Sequence, residues 1–343
     1  MNDSDDQFFP ILQAAFRGEN LSEADAAAAM RLILAGSVSP VRLAAFLAAV
    51  PPRLATVELL TGFARAMHEA MIRVDAGPGP SLDTCGTGGD GLDTFNISTV
   101  AAFVVAGCGV KVAKHGNRSA SSLCGSADVL EAMGVTVEIS PERMGACIRE
   151  AGIGFLFARL LHPALKHAAP VRSELKVRTV LNLMGPLCNP ASATAQLIGV
   201  PGEDLGDLMA GTLAALNEGT QYLVHGSDGL DEITTTGSTI VWKVADGSFR
   251  KEVWQPRDFG VARASLADLR GGDKVKNADI GERILRRVPG PRRDIVLLNA
   301  AAGLLVVGAA ANAREAMEKA AWSIDSGAAL AKLEALRKAS RLE

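Results

Sequence analysis

Aromatic side chains are scarce in this 343-residue sequence, at 4% of positions with a single tyrosine. That scarcity argues against a β-sandwich. Alanine, valine and leucine carry most of the 48% hydrophobic content, which favours helices around a buried parallel sheet. Neither sign of charge is in excess: 35 basic against 38 acidic residues leave a net charge of −3. Without a basic surplus there is no electrostatic footprint for nucleic acid. The five cysteines, Cys85, Cys108, Cys124, Cys147 and Cys188, are odd in number and nowhere spaced C-x-x-C. Neither a disulfide framework nor a structural zinc site is indicated, and reduced thiols fit best. No apolar run approaches the ~20 residues of a membrane-spanning helix. The N-terminus, MNDSDDQFFP, is acidic where a secretory leader is basic. A soluble, cytoplasmic chain is expected, long enough for two domains or for one α/β domain with a smaller appendage.

Residues from about 7 to 72 read as wholly helical. SEADAAAAMRLILAG opens on Ser22 as a cap, acidic residues follow in the first turn, and Gly36 closes the helix. Ser39 and Pro40 open the next helix in the same manner. The composition changes at AGPGP (76–80). Beyond it SLDTC, VKVA, VTVEI, GFLFA, AQLIGV and QYLVHG read as strands, alternating with helical patterns, which predicts a parallel sheet with crossover helices. STIVWKVADGSFRKEVW predicts a hairpin around Asp246-Gly247, so the sheet should be mixed. AAFVVAGCGV and IVLLNAAAGLLVVGAAA read as core strand or helix, and one or two amphipathic helices end the chain. The expected architecture is a small all-helical domain, residues 1–75, joined by helices from about 163–187, and an α/β domain over 76–343.

Four stretches carry chemistry. DTCGTGGDGLDTFNIST (83–99) follows a strand and precedes a helix. Gly86, Gly88, Gly89 and Gly91 let the backbone approach a phosphate, while Asn96, Ser98 and Thr99 add side-chain donors and a hydroxyl for a cation. The spacing is neither G-x-x-x-x-G-K-[ST] nor G-x-G-x-x-G, and an ordinary turn with a cap fits equally well. VAKHGNRSASSLCGSADVLEAMG (112–134) gathers Lys114, His115, Asn117, Arg118 and several serines, donors that suit a ligand with several phosphates, though a solvated loop fits too. HGSDGLDEITTTG (225–237) sets Asp231 beside Glu232, which suits Mg²⁺ or simply an acidic turn. In HPALKHAAPVRSELKVRTVLNLMGPLCNP (162–190), Arg172 and Arg178 are candidates to clamp a carboxylate or to make surface ion pairs.

Taken together and in this order, these stretches, with GSADVLEAMGV, NLMGPLCNP, DIVLLNAAAGL and IDSGAALAKLEAL, resemble the anthranilate phosphoribosyltransferases of tryptophan biosynthesis over nearly the whole chain. The resemblance implies that the amine of anthranilate displaces pyrophosphate from C1 of phosphoribosyl diphosphate. It implies that phosphoribosyl diphosphate is held by Gly86, Gly89, Asp90, Thr94, Asn96, Ile97, Ser98 and Thr99. Lys114, His115, Gly116, Asn117, Arg118, Ser119, Ala120, Ser121, Ser122 and Ser126 would complete that site. It implies Mg²⁺, two ions per subunit, at Ser98, Asp231 and Glu232, and anthranilate at Gly86, Asn117 and Arg172. A homodimer packed through the helical domain, with a hinge that closes the site, is also implied; association with anthranilate synthase is left open. No general base is evident, and an aromatic amine that is neutral at pH 7 does not require a strong one. Charge stabilisation by Lys114, Asp231 and Glu232 with metal carries the expected chemistry.

Leu123, Cys124, Arg159 and Cys188 depart from the commonest family pattern. Two other functions share the architecture: a pyrimidine nucleoside phosphorylase and a non-catalytic relative that binds nucleic acid. The first expects an opening motif like D-K-H-S-T-G-G. The second expects lost carboxylates and a basic face, and this chain has neither.

Overall fold

Residues 3–118 and 123–342 are described by the structure, a computed structural model. Helices α1 (Asp3–Phe16), α2 (Glu23–Leu34), α3 (Pro40–Ala49) and α4 (Val57–Ala70) come first, without an intervening strand among the described residues. Side-chain oxygens of Ser22, Ser39 and Thr56 accept from the backbone N–H of Asp25, Arg42 and Leu59, so each helix start satisfies one of its orphan donors.

Strand–helix alternation then begins with β1 (Ser81–Asp83), α5 (Ile97–Gly107), β2 (Lys111–Gly116), α6 (Ser126–Ala132), α7 (Pro141–Ala151) and β3 (Ile153–Phe157). A long connection holds α8 (Ala158–Leu161) and α9 (Ala169–Leu175) before β4 (Ala195–Gly199), α10 (Glu203–Leu216) and β5 (Thr220–Gly226). β6 (Thr239–Ala245) and β7 (Ser248–Trp254) follow, then α11 (Lys274–Leu285), α12 (Pro291–Val306), α13 (Ala313–Asp325) and α14 (Ala328–Ala339). The sheet order is β3-β2-β1-β4-β5-β6-β7; β1 to β5 run parallel, β6 and β7 antiparallel, so the sheet is mixed and mainly parallel. The β6–β7 turn places Asp246 at φ 50 and Gly247 at φ 70, the left-handed pair that matches strand twist in a two-residue hairpin.

One expectation is corrected. VTVEI forms no strand; Val135 and Val137 are buried, and the Thr136 N–H donates to Ser340 Oγ beyond α14. Its alternation reports one-sided burial against the C-terminal helix rather than a ladder. The apolar run from Ile295 is helix α12, buried almost all round because it is sandwiched against the sheet and α5. Helix α11 escaped the sequence reading, its KVKNADIGERIL having only a thin apolar face.

Packing divides the interior into two cores. One is centred on the sheet, α5 and α12. The other joins α1 to α4 with Ala168, Val171, Val180, Leu183 and Cys188 of the β3–β4 connection, and with Met209 and Trp242 from α10 and β6. The connection thus leaves the sheet, packs on the N-terminal helices, and returns on the far side of β1. Strand order reverses between β1 and β4, and such reversals open a crevice at the carboxyl ends of the strands. No helix among the described residues is long and apolar enough to cross a membrane.

Candidate active site

A cavity of about 660 Å³ opens at that crevice. Every residue expected at the site lines it except Ser119, Ala120, Ser121 and Ser122, which lie outside the described residues. One wall is the glycine-rich β1–α5 loop, the end of β2 and the loop after β5. The wall from the β3–β4 connection sets Ala158, Leu165, Leu181, Met184 and Pro186 beside His162, Arg178 and Asn182, and it carries Arg172.

Glycine decides how closely these loops meet. A β-carbon on Gly86 would lie 2.9 Å from the Gly199 carbonyl oxygen, and one on Gly199 would lie 1.6 Å from that of Asp231. The Thr87 N–H donates to the Gly199 oxygen at 2.9 Å. The ends of β1, β4 and β5 are therefore stacked backbone to backbone, which only glycine at these two positions permits.

On this stack sit Asp90, Asp231 and Glu232, with Lys114 as the nearby buried cation. Lys114 Nζ donates to the carbonyl and hydroxyl of Thr84 at 3.0 and 2.9 Å and reaches Ser98 Oγ at 3.5 Å. Glu232 Oε1 accepts from the Ser98 N–H at 3.0 Å. Burial, then the charges of Asp90 and Glu232, push the Asp231 carboxyl well above its usual range. Burial also raises Glu232, to about 7, against the lowering pull of Lys114 and Ser98. Lys114 is lowered by burial, opposed by its acidic neighbours. Three carboxylates facing one buried ammonium are short of positive charge, and hard oxygen donors beside a hydroxyl are the set that Mg²⁺ prefers. The residues fit a magnesium site. Asp83, Cys85 and His115 also cluster, but the Asp83 oxygens already accept from the His115 N–H and the Asn189 amide, and burial raises the Cys85 thiol. That group is structural.

Several side chains do other work than their position in the sequence suggests. The N–H of Ser98 at the start of α5 is occupied by Glu232, so this helix end holds a carboxylate of the chain itself. Asn96 spends its amide between Asn277 and the Cys124 carbonyl, and Ile97 and Thr99 are buried. The Arg118 guanidinium is bound by Asp128, Glu131 and Glu138 and lies over the Phe157 ring, and its pKa is raised by the hydrogen bonds to Glu131 and Glu138. Thr234 and Thr236 donate to Asp228 instead of to the cavity. Arg172 is lowered by burial and pairs with no carboxylate among the described residues. Asn117 is exposed, its Oδ1 accepting from the Arg118 N–H at 2.8 Å.

The sequence reading missed Gly199, His162, Asn277 and Asn299, and left Arg178 open. Arg178 Nη2 donates to the Thr87 carbonyl at 3.1 Å, and a β-carbon on Gly89 would meet its Nη1 at 1.5 Å. The His162 ring lies 5.2 Å from that of His115 with the planes tilted by 54°; burial lowers its pKa to about 3, so it is neutral. Asn299 had a signal: it is a lone polar residue in IVLLNAAAGLL, and a buried amide must find partners.

The chain matches two family models, described as "Glycosyl transferase family, helical bundle domain" over residues 9–71 and "Glycosyl transferase family, a/b domain" over 78–330. It is 54% identical over 329 residues to an anthranilate phosphoribosyltransferase of Solibacter usitatus, covering 95% of this chain and 97% of the relative. The crystal structure of the Thermus thermophilus anthranilate phosphoribosyltransferase superposes with a TM-score of 0.89 at 43% identity, covering 96% of this chain and 99% of that one. That of Saccharomyces cerevisiae in complex with PRPP and Mg gives a TM-score of 0.90 at 26% identity, with 98% of each chain covered. The same yeast enzyme has also been solved in complex with 4-fluoroanthranilate. From the N-terminal helices to the last α/β crossover, the chain belongs to the anthranilate phosphoribosyltransferases.

Proposed function

We propose that this cavity transfers the 5-phosphoribosyl group of phosphoribosyl diphosphate (PRPP) to the amine of anthranilate, releasing pyrophosphate. The observation that carries the reading is the pairing, in one cavity, of an acid-and-glycine loop stack with a partly apolar wall whose Arg172 meets no carboxylate among the described residues. In the family pattern, PRPP lies along Gly86 to Thr99 and Lys114 to Ser126. Ser98, Asp231 and Glu232 hold magnesium, two ions per subunit. When bound, the metal neutralises the diphosphate and makes it a better leaving group. Lys114, fixed by Thr84, adds a positive charge where negative charge develops on the leaving oxygens. Arg118 serves by bracing the loop base through its carboxylates. Arg172 takes the anthranilate carboxylate, with the Gly86 backbone and Asn117 beside it, and the apolar wall excludes water from the aromatic ring. Held so, the neutral amine forms the C1–N bond as the C1–O bond to pyrophosphate breaks, the rate raised by orientation instead of by a base, and the proton of the new ammonium passes to the departing pyrophosphate or to water.

The same reading makes the chain a cytoplasmic homodimer whose interface is built from the N-terminal helices, where Phe9, Phe16 and Val41 are exposed. It assigns 1–75, with about 163–187, to the helical domain and the rest to the α/β domain. Loss of anthranilate fluorescence in the presence of PRPP and Mg²⁺ tests the activity; chelator should abolish it, and Asp231→Ala with Glu232→Ala should remove most turnover. Full turnover in the double variant without added magnesium would overturn the assignment. Light scattering reads the dimer directly.

A further inference from the structure

We propose that Asn299 is a positioning residue for the carboxylates of Asp231 and Glu232, acting through the peptide groups of Ile233. The inference rests on the reading that those carboxylates bind magnesium. Asn299 lies on α12 between Leu298 and Ala300, both 0% exposed, and is itself 1% exposed. Burying a primary amide there is unfavourable unless its donors and acceptor are used. They are. Oδ1 accepts from the Ile233 N–H at 2.9 Å, and Nδ2 donates to the Ile233 carbonyl at 2.9 Å and to the Ile295 carbonyl at 2.9 Å. The orientation of the amide is forced, because an N–H and two carbonyls leave only one way to satisfy all three.

Ile233 is the residue after Glu232. It is 2% exposed and lies outside any strand. No neighbouring strand can hold its N–H and carbonyl, so the Asn299 amide does what a strand would do and ties both to a rigid helix. Other ties of this turn point elsewhere: Glu232 to Ser98, the Thr234 N–H to Thr239 Oγ1, the Thr234 and Thr236 hydroxyls to Asp228, and the Asp231 carbonyl against Gly199. Remove the Asn299 clamp and the peptides next to Glu232 lose their only link to α12 among the described hydrogen bonds. The two carboxylates then no longer stand in one fixed relation. Asn299 does not act on substrate; it sets where the metal-binding oxygens are.

The test is Mn²⁺ binding by the full chain, followed by electron paramagnetic resonance with Mn²⁺ alone and with pyrophosphate, beside steady-state kinetics. Asn299→Leu, and the equal-shaped Asn299→Asp should the first not fold, are expected to weaken Mn²⁺ binding roughly 10- to 100-fold. The Mg²⁺ requirement for turnover should rise with it, while the KM for anthranilate stays put. Leu298→Ala, one position away and buried, should lower the melting temperature yet leave Mn²⁺ affinity unchanged. Wild-type Mn²⁺ affinity in a folded Asn299 variant would overturn the inference. So would equal weakening in Leu298→Ala, which would make the effect one of general loosening. If Asp231→Ala binds Mn²⁺ as tightly as the wild type, the magnesium reading itself fails, and that outcome is distinct from the other two.

Discussion

Arg172 is a half-buried guanidinium beside apolar residues that pairs with no carboxylate among the described residues, a costly arrangement by itself and a favourable one when a carboxylate arrives. A charge-assisted hydrogen bond of this type contributes about 1.5–3 kcal/mol. Arg172→Ala should therefore raise the KM for anthranilate by roughly 10- to 100-fold and change that for PRPP by no more than about two-fold. Initial rates with each substrate varied in turn decide it; an equal effect on both would place Arg172 elsewhere in the reaction. Gly199 makes the opposite kind of point, since its contribution is the absence of a side chain. A methyl group there would collide with the Asp231 carbonyl, which is backbone and cannot swing aside. Gly199→Ala is expected to lose nearly all turnover and to lower the melting temperature, measured by calorimetry alongside the assay. Retained activity would mean that the three strand ends need not be stacked.

At the scale of an element, the turn after β5 is organised by Asp228. Its carboxylate accepts from the Leu230 N–H at 3.2 Å and the Thr234 hydroxyl at 2.7 Å, and from the hydroxyl of Thr236. The threonines that follow the two acids hold the turn that presents Asp231 and Glu232. Asp228→Ala leaves those hydroxyls and an amide without their acceptor, at a cost of about 1–3 kcal/mol. Urea unfolding should show that loss. Turnover should fall with it and the KM for anthranilate should stay unchanged, because Asp228 does not line the cavity.

Over the whole molecule, His68 joins the N-terminal helices to the rest. Its Nε2 lies 2.7 Å from the Leu187 carbonyl and its Nδ1 3.4 Å from Glu218. Both partners are acceptors, an arrangement that favours a proton on each nitrogen. Burial pulls its pKa down, but Glu218 and the Leu187 carbonyl outweigh burial, and the net shift is upward. A raised pKa stabilises the fold fully below the unfolded value of about 6.5, and that contribution is lost as pH rises through the higher folded value. The Glu218 carboxyl, held down chiefly by His68, supplies the acid-side limit: its contribution is present above its ordinary range and lost as pH falls through the lowered value. The melting temperature should thus decline from pH 6 to pH 9 more steeply in the wild type than in His68→Gln. Parallel curves by scanning calorimetry would show that the ring is not charged in the fold.

What sequence alone determined here is whatever depends on residues a few positions apart. Ser22 and Ser39 as caps, Asp246-Gly247 as a hairpin turn, strand–helix alternation after AGPGP, and glycine-rich, basic and acidic stretches suited to a polyanion and its cation are all of this kind. Their physics is local, because a cap needs only the next turn of backbone and a tight turn only its own dihedral angles. Tertiary structure decided the rest. It kept VTVEI out of the sheet, spent the Arg118 guanidinium on three acids, and turned the threonines toward Asp228. It also stacked Gly86, Gly199 and Asp231, and set Asn299 against Ile233 across 66 residues. Those contacts exist because β1 lies between β2 and β4, which brings loops distant along the chain to one edge of the sheet. Which of a side chain's bonds are already spent can be known only once its neighbours in space are known.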